Sequence, residues 1–367
     1  MKHLFPLRNP QPDVENFLKV LKREKLPSRV PFAEHLIDEE IRRLVVEDFL
    51  GRKWVPISEN RELYYLNFIE FWHRMGYDYI RFSSTLAGIS FPSLHSHGED
   101  TAIYSRGDRE WVKSGEGVIK GWDDFERFPW LELKDEDFTP FLFISRNLPP
   151  GMGLMVSFSG GVLENVMNKL MGLVPLSLLI YDSPELVRAV VDRVGETMER
   201  FYLKIIELNL PNLIGFFQGD DMGYRSSTIF SPEFLKEYIL PWHERFARIA
   251  HENGLIYILH SCGNLEEIME TLIEEVGIDG KHSFEDEIMP VVKFKEKYGD
   301  RLAILGGVDV DKLARLDRER LVDYVESILE VCAKDGGYAL GSGNSITNYI
   351  PLENYLTMLE VGWRFLG

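Results

Sequence analysis

The sequence predicts an α/β fold of the (β/α)8 TIM-barrel type, with a segment inserted after the second strand. Short apolar runs with strand character alternate with longer amphipathic helices along the 367 residues. Eight such runs can be counted, and most are joined through helices. Polar residues follow the ends of these runs, as they do at the mouth of a barrel. We therefore expect a single domain over 1–367.

Each predicted element has a local justification. Helix 38–50 places Ile41, Val45 and Phe49 on one face and begins with acidic residues that suit its dipole. Helices 183–208 and 231–253 both begin with Ser-Pro-Glu, which supplies a cap and a proline in the first turn. The other predicted helices are 67–75, 162–170 and 351–365. The predicted strands are 29–34, 77–83, 153–158, 213–218, 256–260, 277–282, 302–306 and 337–341.

The predicted insert runs from about 87 to 150 and is expected to cap the barrel mouth. It contains a stretch rich in arginine, glycine and tryptophan, over 104–118, that predicts a hairpin. Insertions of this size usually lie at a functional rim. A doubly wound sheet is the structural alternative, but no glycine-rich phosphate-binding motif follows the first strand.

Composition excludes several classes of function. The formal net charge of −18 argues against a nucleic-acid partner or an anionic membrane surface, both of which need basic patches. No run of 18 apolar residues is present, so no membrane span is predicted. The only cysteines, Cys262 and Cys332, lie far apart in the chain, which favours a reducing, cytoplasmic setting over a disulfide framework.

The strongest chemical signal is the end of the fifth strand. His260 and Cys262 follow a buried apolar run with one residue between them, so an extended backbone places both side chains on one side. An imidazole and a thiol at this spacing can bind a soft divalent metal such as zinc. They can also form an activated thiolate.

Other polar residues are predicted to collect at the same mouth. Adjacent carboxylates at Asp220 and Asp221 are candidate acid–base catalysts. Arg81, on the second strand, is expected to form a buried ion pair with Asp78 or a neighbour. The candidate substrate-binding residues are Glu34, His35, Ser84, Gln218, Ser342 and Asn344.

Five motifs occur together and in order along the chain. They are Ser-Pro-Glu at 231–233 with Pro241, His-Ser-Cys-Gly-Asn at 260–264, Leu-Gly-Gly-Val-Asp at 305–309, the glycines at 336–337, and Pro-Leu-Glu-Asn at 351–354. Together they make the chain resemble the uroporphyrinogen decarboxylase superfamily, which also contains zinc-dependent methyltransferases that work with corrinoid proteins. The resemblance covers most of the chain from about Arg29 and implies a (β/α)8 barrel with its site at the mouth.

Departures from the decarboxylase pattern are informative. The decarboxylases carry an arginine-rich loop after the first strand, whereas 34–38 contains no arginine. Ser84 stands where their catalytic aspartate is expected, and a hydroxyl cannot stabilise a protonated pyrrole as a carboxylate does. Ser342 stands where a decarboxylase has a histidine and a methyltransferase has its third zinc ligand, a cysteine.

The resemblance therefore implies an enzyme, with a zinc-dependent methyltransferase favoured. In that hypothesis His260, Cys262 and a third residue hold zinc, with Glu285 as the chosen third ligand and His282 or Asp221 as alternatives. A corrinoid protein donates the methyl group and a small-molecule thiol accepts it. The alternatives are a metal-free decarboxylase that uses Asp220 or Asp221, and a catalytically silent barrel that binds a ligand.

Overall fold

A computed structural model describes residues 4–92, 95–100, 104, 107–112 and 116–366. At its centre lies a parallel sheet of seven strands, which confirms the predicted α/β class. In spatial order, each strand paired with the next, these are β1 (Tyr79–Ser83), β4 (Gly153–Ser157), β5 (Leu213–Gly219), β6 (Ile256–His260), β7 (Gly280–His282), β8 (Ala303–Leu305) and β9 (Tyr338–Ala339). Two further strands, β2 (His95–Asp100) and β3 (Gly107–Val112), form an antiparallel pair.

Helices connect most of the parallel strands. The described α-helices are α1 (Val14–Leu21), α2 (Glu39–Leu44), α3 (Arg61–Arg74), α4 (Ser84–Ala87), α5 (Trp122–Arg127), α6 (Thr139–Asn147), α7 (Val162–Glu164), α8 (Leu173–Asp182), α9 (Pro184–Glu207), α10 (Pro232–Phe234), α11 (Leu240–Glu252), α12 (Met269–Thr271), α13 (Val291–Tyr298), α14 (Val310–Arg315), α15 (Arg318–Cys332) and α16 (Leu352–Arg364). Helices α2, α7, α10 and α12 continue as the π-helical turns Val45–Phe49, Asn165–Leu170, Leu235–Ile239 and Leu272–Val276. Short 3₁₀ turns lie at Asp135–Phe138 and Glu266–Ile268.

The sheet separates two apolar clusters. The larger lies between the strands and the surrounding helices, and the smaller lies on the inner face of the sheet. Helix α1 packs against the start of that inner face, where the ring centroids of Phe17 and Tyr79 are 5.0 Å apart. The inner cluster comprises Phe17, Leu21, Ala33, Tyr79, Met155, Ile214, Phe217, Ile256, Ile258, Ala303, Leu305 and Ala339. Because side chains alternate along a strand, His260 follows Ile256 and Ile258 onto the inner face.

The predicted first strand, 29–34, contributes only a single bridge, between Phe32 and Leu340. The backbone N–H of Leu340 donates to Pro31 O at 2.8 Å, and Ala33 N–H donates to Leu340 O at 2.8 Å. Pro31 has no N–H to donate, so a continuous series of backbone hydrogen bonds to the neighbouring strand cannot pass through it. Leu340 directly follows β9, the last strand of the sheet, so this bridge places the segment at Phe32 next to β9.

The connection from β1 to β4 contains α4, the β2–β3 pair, α5 and α6. The observed hairpin begins earlier than the predicted hairpin over 104–118. Residues 93–94, 101–103, 105–106 and 113–115 of this connection lie outside the described part of the chain. The prediction that about 87–150 form an insert capping the mouth therefore stays a prediction.

No single helix among the described residues is both long and apolar enough to cross a membrane. One pair of helical segments, Val162–Leu170 and Leu173–Asp182, is together long and apolar enough, but the two segments are bent by 105° at the break between them.

Candidate functional site

Asp221, His260 and Cys262 form a cluster of potential metal ligands at the carboxyl ends of β5 and β6. One ligand atom from each residue lies within 4.8 Å of the other two. Cys262 Sγ is 3.5 Å from His260 Nε2, which is 3.6 Å from Asp221 Oδ1. Thiolate, imidazole and carboxylate are all zinc ligands, and three protein ligands are enough for a catalytic zinc site.

Close contact between two loops brings Asp221 to Cys262. The loops after β5 and β6 pack backbone to backbone, and a Cβ on Gly223 would lie 2.6 Å from Cys262 O. Gly263 has a φ of +81°, which favours glycine, and a Cβ there would lie 2.2 Å from Gly223 C. The backbone N–H of Cys262 donates to Asp221 Oδ1 at 2.9 Å. The glycines therefore permit the approach that places a carboxylate beside the thiol.

Three histidines surround the same point. The rings of His35 and His260 stack with centroids 3.9 Å apart and an interplanar angle of 9°. His260 Nδ1 and His282 Nδ1 are 2.7 Å apart, so one of them carries a proton and the other accepts. If His260 binds a metal through Nε2, the proton of its neutral ring must be on Nδ1, and Nδ1–H then donates to His282 Nδ1. This is the outer contact that usually fixes the tautomer of a metal-binding histidine.

These imidazoles are neutral at ordinary pH. Burial lowers the pKa of His260 well below 6.5, helped by His282, Arg81 and Lys281. Burial likewise lowers the pKa of His282 to about 3 and that of His35 well below its usual value. Neutral imidazole is the form that binds metals.

The Cys262 thiol is not activated by its surroundings. Burial, followed by the carboxylate of Asp221, raises its pKa to about 12. Asn344 Nδ2 donates to Sγ at 3.0 Å and Ser283 Oγ at 3.5 Å, but these contacts do not offset burial. The alternative of a thiolate activated by His260 therefore has no support in this geometry, whereas a metal ion would favour the thiolate directly.

Residues 155–363, more than half of the chain, match the family model described as Uroporphyrinogen decarboxylase (URO-D). The chain belongs to the URO-D family. A uroporphyrinogen decarboxylase from Wolinella succinogenes is 25% identical over 185 residues, half of this chain and half of that protein. A methylated-thiol–coenzyme M methyltransferase from Methanosarcina mazei is 29% identical over 130 residues, 35% of this chain and 32% of the relative.

The alignment thus spans about half of the length of the first of these curated relatives and about a third of the second. A solved structure titled "methyltransferase from Methanosarcina mazei" superposes with a TM-score of 0.68 at 16% identity, covering 96% of this chain and 98% of that one. This likeness shows a shared fold. The URO-D relatives therefore include both a decarboxylase and a methyltransferase.

Within this URO-D fold, the two adjacent aspartates have different surroundings. The carboxylate of Asp220 is buried and accepts hydrogen bonds from Leu163 N and Glu164 N at 3.0 and 2.9 Å. His243 Nε2 lies 2.8 Å from the same carboxylate. Asp220 therefore binds the first turn of α7, and its role in acid–base catalysis stays a prediction. The side chain of Asp221 is 37% exposed and reaches the metal cluster.

Four residues expected to bind substrate are held in internal hydrogen bonds, namely Glu34, Ser84, Gln218 and Ser342. Ser342 Oγ donates to Glu34 Oε2 at 2.6 Å, and Ser342 N–H donates to Oε1 at 2.7 Å. Ser84 Oγ donates to Ile89 O. Gln218 is buried and bonds to the backbone of Phe158, Gly160 and Gly219 and to the hydroxyl of Tyr202.

Of the remaining expected residues, one lies outside the cluster and two lie beside it. Glu285, the predicted third ligand, is exposed and lines two neighbouring surface cavities. It is not part of the cluster of potential metal ligands found among the described residues. Asp221 belongs to that cluster, and the role of Glu285 as third ligand stays a prediction. Asn344 lies beside Cys262, and His35 lies against His260.

The expected ion pair between Arg81 and Asp78 is wrong. Asp78 instead pairs with Arg29 and accepts a hydrogen bond from Asp13 N–H at 2.8 Å. Asp78 and Arg81 lie three positions apart on a chain that alternates its side chains, so they point to opposite sides of the sheet.

Sequence reasoning missed a carboxyl group beside the aspartates. Burial, followed by the charges of Asp221 and Asp220, raises the pKa of Glu164 to about 8. Burial lowers the pKa of the neighbouring Lys169 to about 8. Only the contact between α7 and the end of β5 brings these groups together, so no spacing in the sequence could have shown it.

Proposed function

We propose that this protein is a zinc-dependent methyltransferase of the URO-D family that moves a methyl group between a corrinoid and a thiol. The observation that carries the proposal is the cluster of Asp221, His260 and Cys262, whose ligand atoms lie within 4.8 Å of one another. It supplies one oxygen, one nitrogen and one sulfur donor, and the neutral ring of His260 is already oriented by His282.

Zinc bound by these residues would supply a Lewis acid that lowers the pKa of a substrate thiol and so favours the nucleophile. The protein's own residues hold the donors in place: Asp221 through the Cys262 N–H, and His260 through the Nδ1 contact. The proposed methyl donor is a corrinoid held by a partner protein, and the acceptor is a small thiol. The sheet, with the segment at Phe32, is proposed to be the (β/α)8 barrel that carries this mouth.

The decarboxylase alternative has less support from the geometry. Of its two candidate carboxylates, Asp220 is buried under three hydrogen-bond partners, and Asp221 belongs to the candidate metal cluster. Ser84, at the position of the expected catalytic aspartate, donates to Ile89 O and accepts from the backbone N–H of Ser159.

Metal loading tests the proposal. Zinc measured by mass spectrometry after loading and desalting should reach one ion per chain in the wild type and fall to trace levels in Cys262→Ser. Cobalt(II) should give a thiolate-to-metal charge-transfer absorption that is lost in the same variant. Cys332→Ser is the matched control, because Cys332 is buried in α15 away from the cluster. Wild-type protein without stoichiometric metal would contradict the proposal.

Methyl transfer is then measured directly. The zinc-loaded protein should accelerate the transfer of a methyl group from methylcobalamin to a thiol, and Cys262→Ser should reduce that rate at least a hundredfold. An equal rate in the zinc-free protein would contradict the role of the metal.

A further inference from the structure

Arg81, on the inner face of β1, carries a charge that no carboxylate balances directly. Among the described residues no Asp or Glu oxygen lies within ion-pair distance of it, and Asp78 pairs with Arg29 on the other side of the sheet. Its Nε–H donates to Phe217 O at 2.9 Å and Nη1 donates to His35 O at 3.2 Å. A guanidinium has five N–H groups, so three remain available in the described part of the chain.

Arg81 also lies at a cavity. Arg81 lines a space of about 290 Å³ beside β1. The polar part of its wall includes Ser83, Thr85 and Ser159, and the apolar part includes Phe68 and Phe158. A cavity of this size, with an apolar wall and a few polar groups, suits a small organic molecule.

This cavity adjoins the candidate metal centre through one residue. His35 lines the cavity and accepts the hydrogen bond from Arg81 through its carbonyl oxygen. The ring of His35 stacks on the ring of His260. A molecule held by Arg81 is therefore one side chain away from a proposed metal ligand.

Arg81 keeps its charge in this setting. Burial lowers its pKa to about 10, which still leaves the guanidinium protonated near neutral pH. A partly buried, unpaired cation is expensive to keep unless it binds an anion. Arginine recognises a carboxylate or similar oxyanion through two parallel hydrogen bonds.

We propose that Arg81 binds a terminal oxyanion, a carboxylate or a sulfonate, on the small molecule that enters the cavity beside His35. This inference rests on the proposed function insofar as that molecule is the thiol substrate. The oxyanion would anchor one end of the molecule at Arg81 and leave its other end directed toward the metal centre. Such a site differs in position from an arginine-rich loop after the first strand, which this chain lacks.

Calorimetric titration tests the inference with three thiols of similar size: 3-mercaptopropionate, 2-mercaptoethanesulfonate and neutral 2-mercaptoethanol. The wild type should bind the better of the two anions at least tenfold tighter than the neutral thiol. Arg81→Gln, which removes the charge but keeps an amide donor, should lose that preference, and Arg81→Lys should keep part of it. Whichever anion binds more tightly identifies the group.

Two comparisons distinguish a failure of this inference from a failure of the proposed function. The titrations are run on zinc-loaded and on zinc-free protein, and the preference for an anion should persist without zinc even where overall affinity falls. Arg146→Met, at an exposed arginine of α6, should leave the preference unchanged. Equal binding of charged and neutral thiols by the wild type would overturn the inference. A preference that survives in folded Arg81→Gln would overturn it too.

Discussion

Ser342 donates hydrogen bonds to Glu34 through both its hydroxyl and its backbone N–H, at 2.6 and 2.7 Å. Both side chains are fully buried. Ser342 occupies the position at which the family resemblance implies a third zinc ligand, yet here its hydroxyl is committed to a carboxyl group on the first segment. The third potential ligand comes from Asp221 in the loop after β5.

We predict that Ser342→Ala lowers the stability of the protein and leaves its metal content unchanged. The change removes one hydrogen bond to a buried carboxyl group, which costs about 1–3 kcal/mol in the free energy of unfolding. Urea denaturation measures the loss, and mass spectrometry should still find one zinc per chain. Asp221→Asn is the matched comparison and should weaken zinc binding. Loss of zinc in Ser342→Ala would make Ser342 a ligand and contradict this assignment.

Glu34 also makes stability depend on pH. Burial raises its pKa from 4.5 to about 8, against the hydrogen bonds from Ser342. The folded protein therefore holds this proton more tightly than the unfolded chain, and the free energy of unfolding falls as the pH rises from about 4.5 to about 8. Buried His282, with its pKa lowered to about 3, gives the opposite slope below 6.5.

Between pH 6.5 and 8 the buried carboxyl groups therefore change the free energy of unfolding, whereas the buried histidines change it below pH 6.5. We predict that the free energy of unfolding of the wild type falls across this window, by on the order of 1 kcal/mol per pH unit. Glu34→Gln should show a shallower slope. Glu164, whose pKa is also raised to about 8, contributes to the slope that remains, and Lys169 and Lys281, whose pKa values burial lowers to about 8, oppose it near pH 8. Denaturation curves at several pH values measure both proteins, and equal slopes would contradict the role of Glu34.

Cys262 should be almost inert toward alkylation in the metal-free protein. With a pKa of about 12 its thiolate is scarce at pH 8. Reaction with iodoacetamide should be slower than that of a free cysteine by on the order of a thousandfold. The measurement uses Cys332→Ser in the presence of a chelator, so that only Cys262 can react, and unfolded protein provides the fast reference. Rapid labelling of the folded protein would show an activated thiolate instead.

Much of the fold could be predicted because its signals are local. The apolar run before His260 and the Ser-Pro-Glu starts of α9 and α10 depend on neighbouring residues only, and they match the observed starts closely. Ser231 caps α10 through its side chain, whereas Ser183 makes no such hydrogen bond at α9. The predicted strand over 29–34 is longer than the single bridge that forms, because a pattern of apolar residues does not show how many backbone hydrogen bonds the neighbouring strand provides.

The site was less predictable because its partners come from distant segments. His260 and Cys262 were placed together by their spacing, and the structure brings their side chains to 3.5 Å. The choice between Glu285 and Asp221 depended on the packing of the loops after β5 and β6 at Gly223 and Gly263. No pattern within one segment shows that contact.

The last prediction concerns His282, the positioning residue behind His260. Its Nδ1 lies 2.7 Å from His260 Nδ1 and must accept the proton there if Nε2 of His260 is to bind a metal. His282→Phe removes this acceptor but keeps a planar ring, so zinc affinity should fall by about 10–100-fold. His282→Asn retains an acceptor near the position of Nδ1 and should lose much less. Competition with a chromogenic chelator measures both affinities, and the cobalt(II) spectrum reports whether His260 still binds the metal. Equal losses in the two variants would mean that His282 acts through packing and does not set the tautomer.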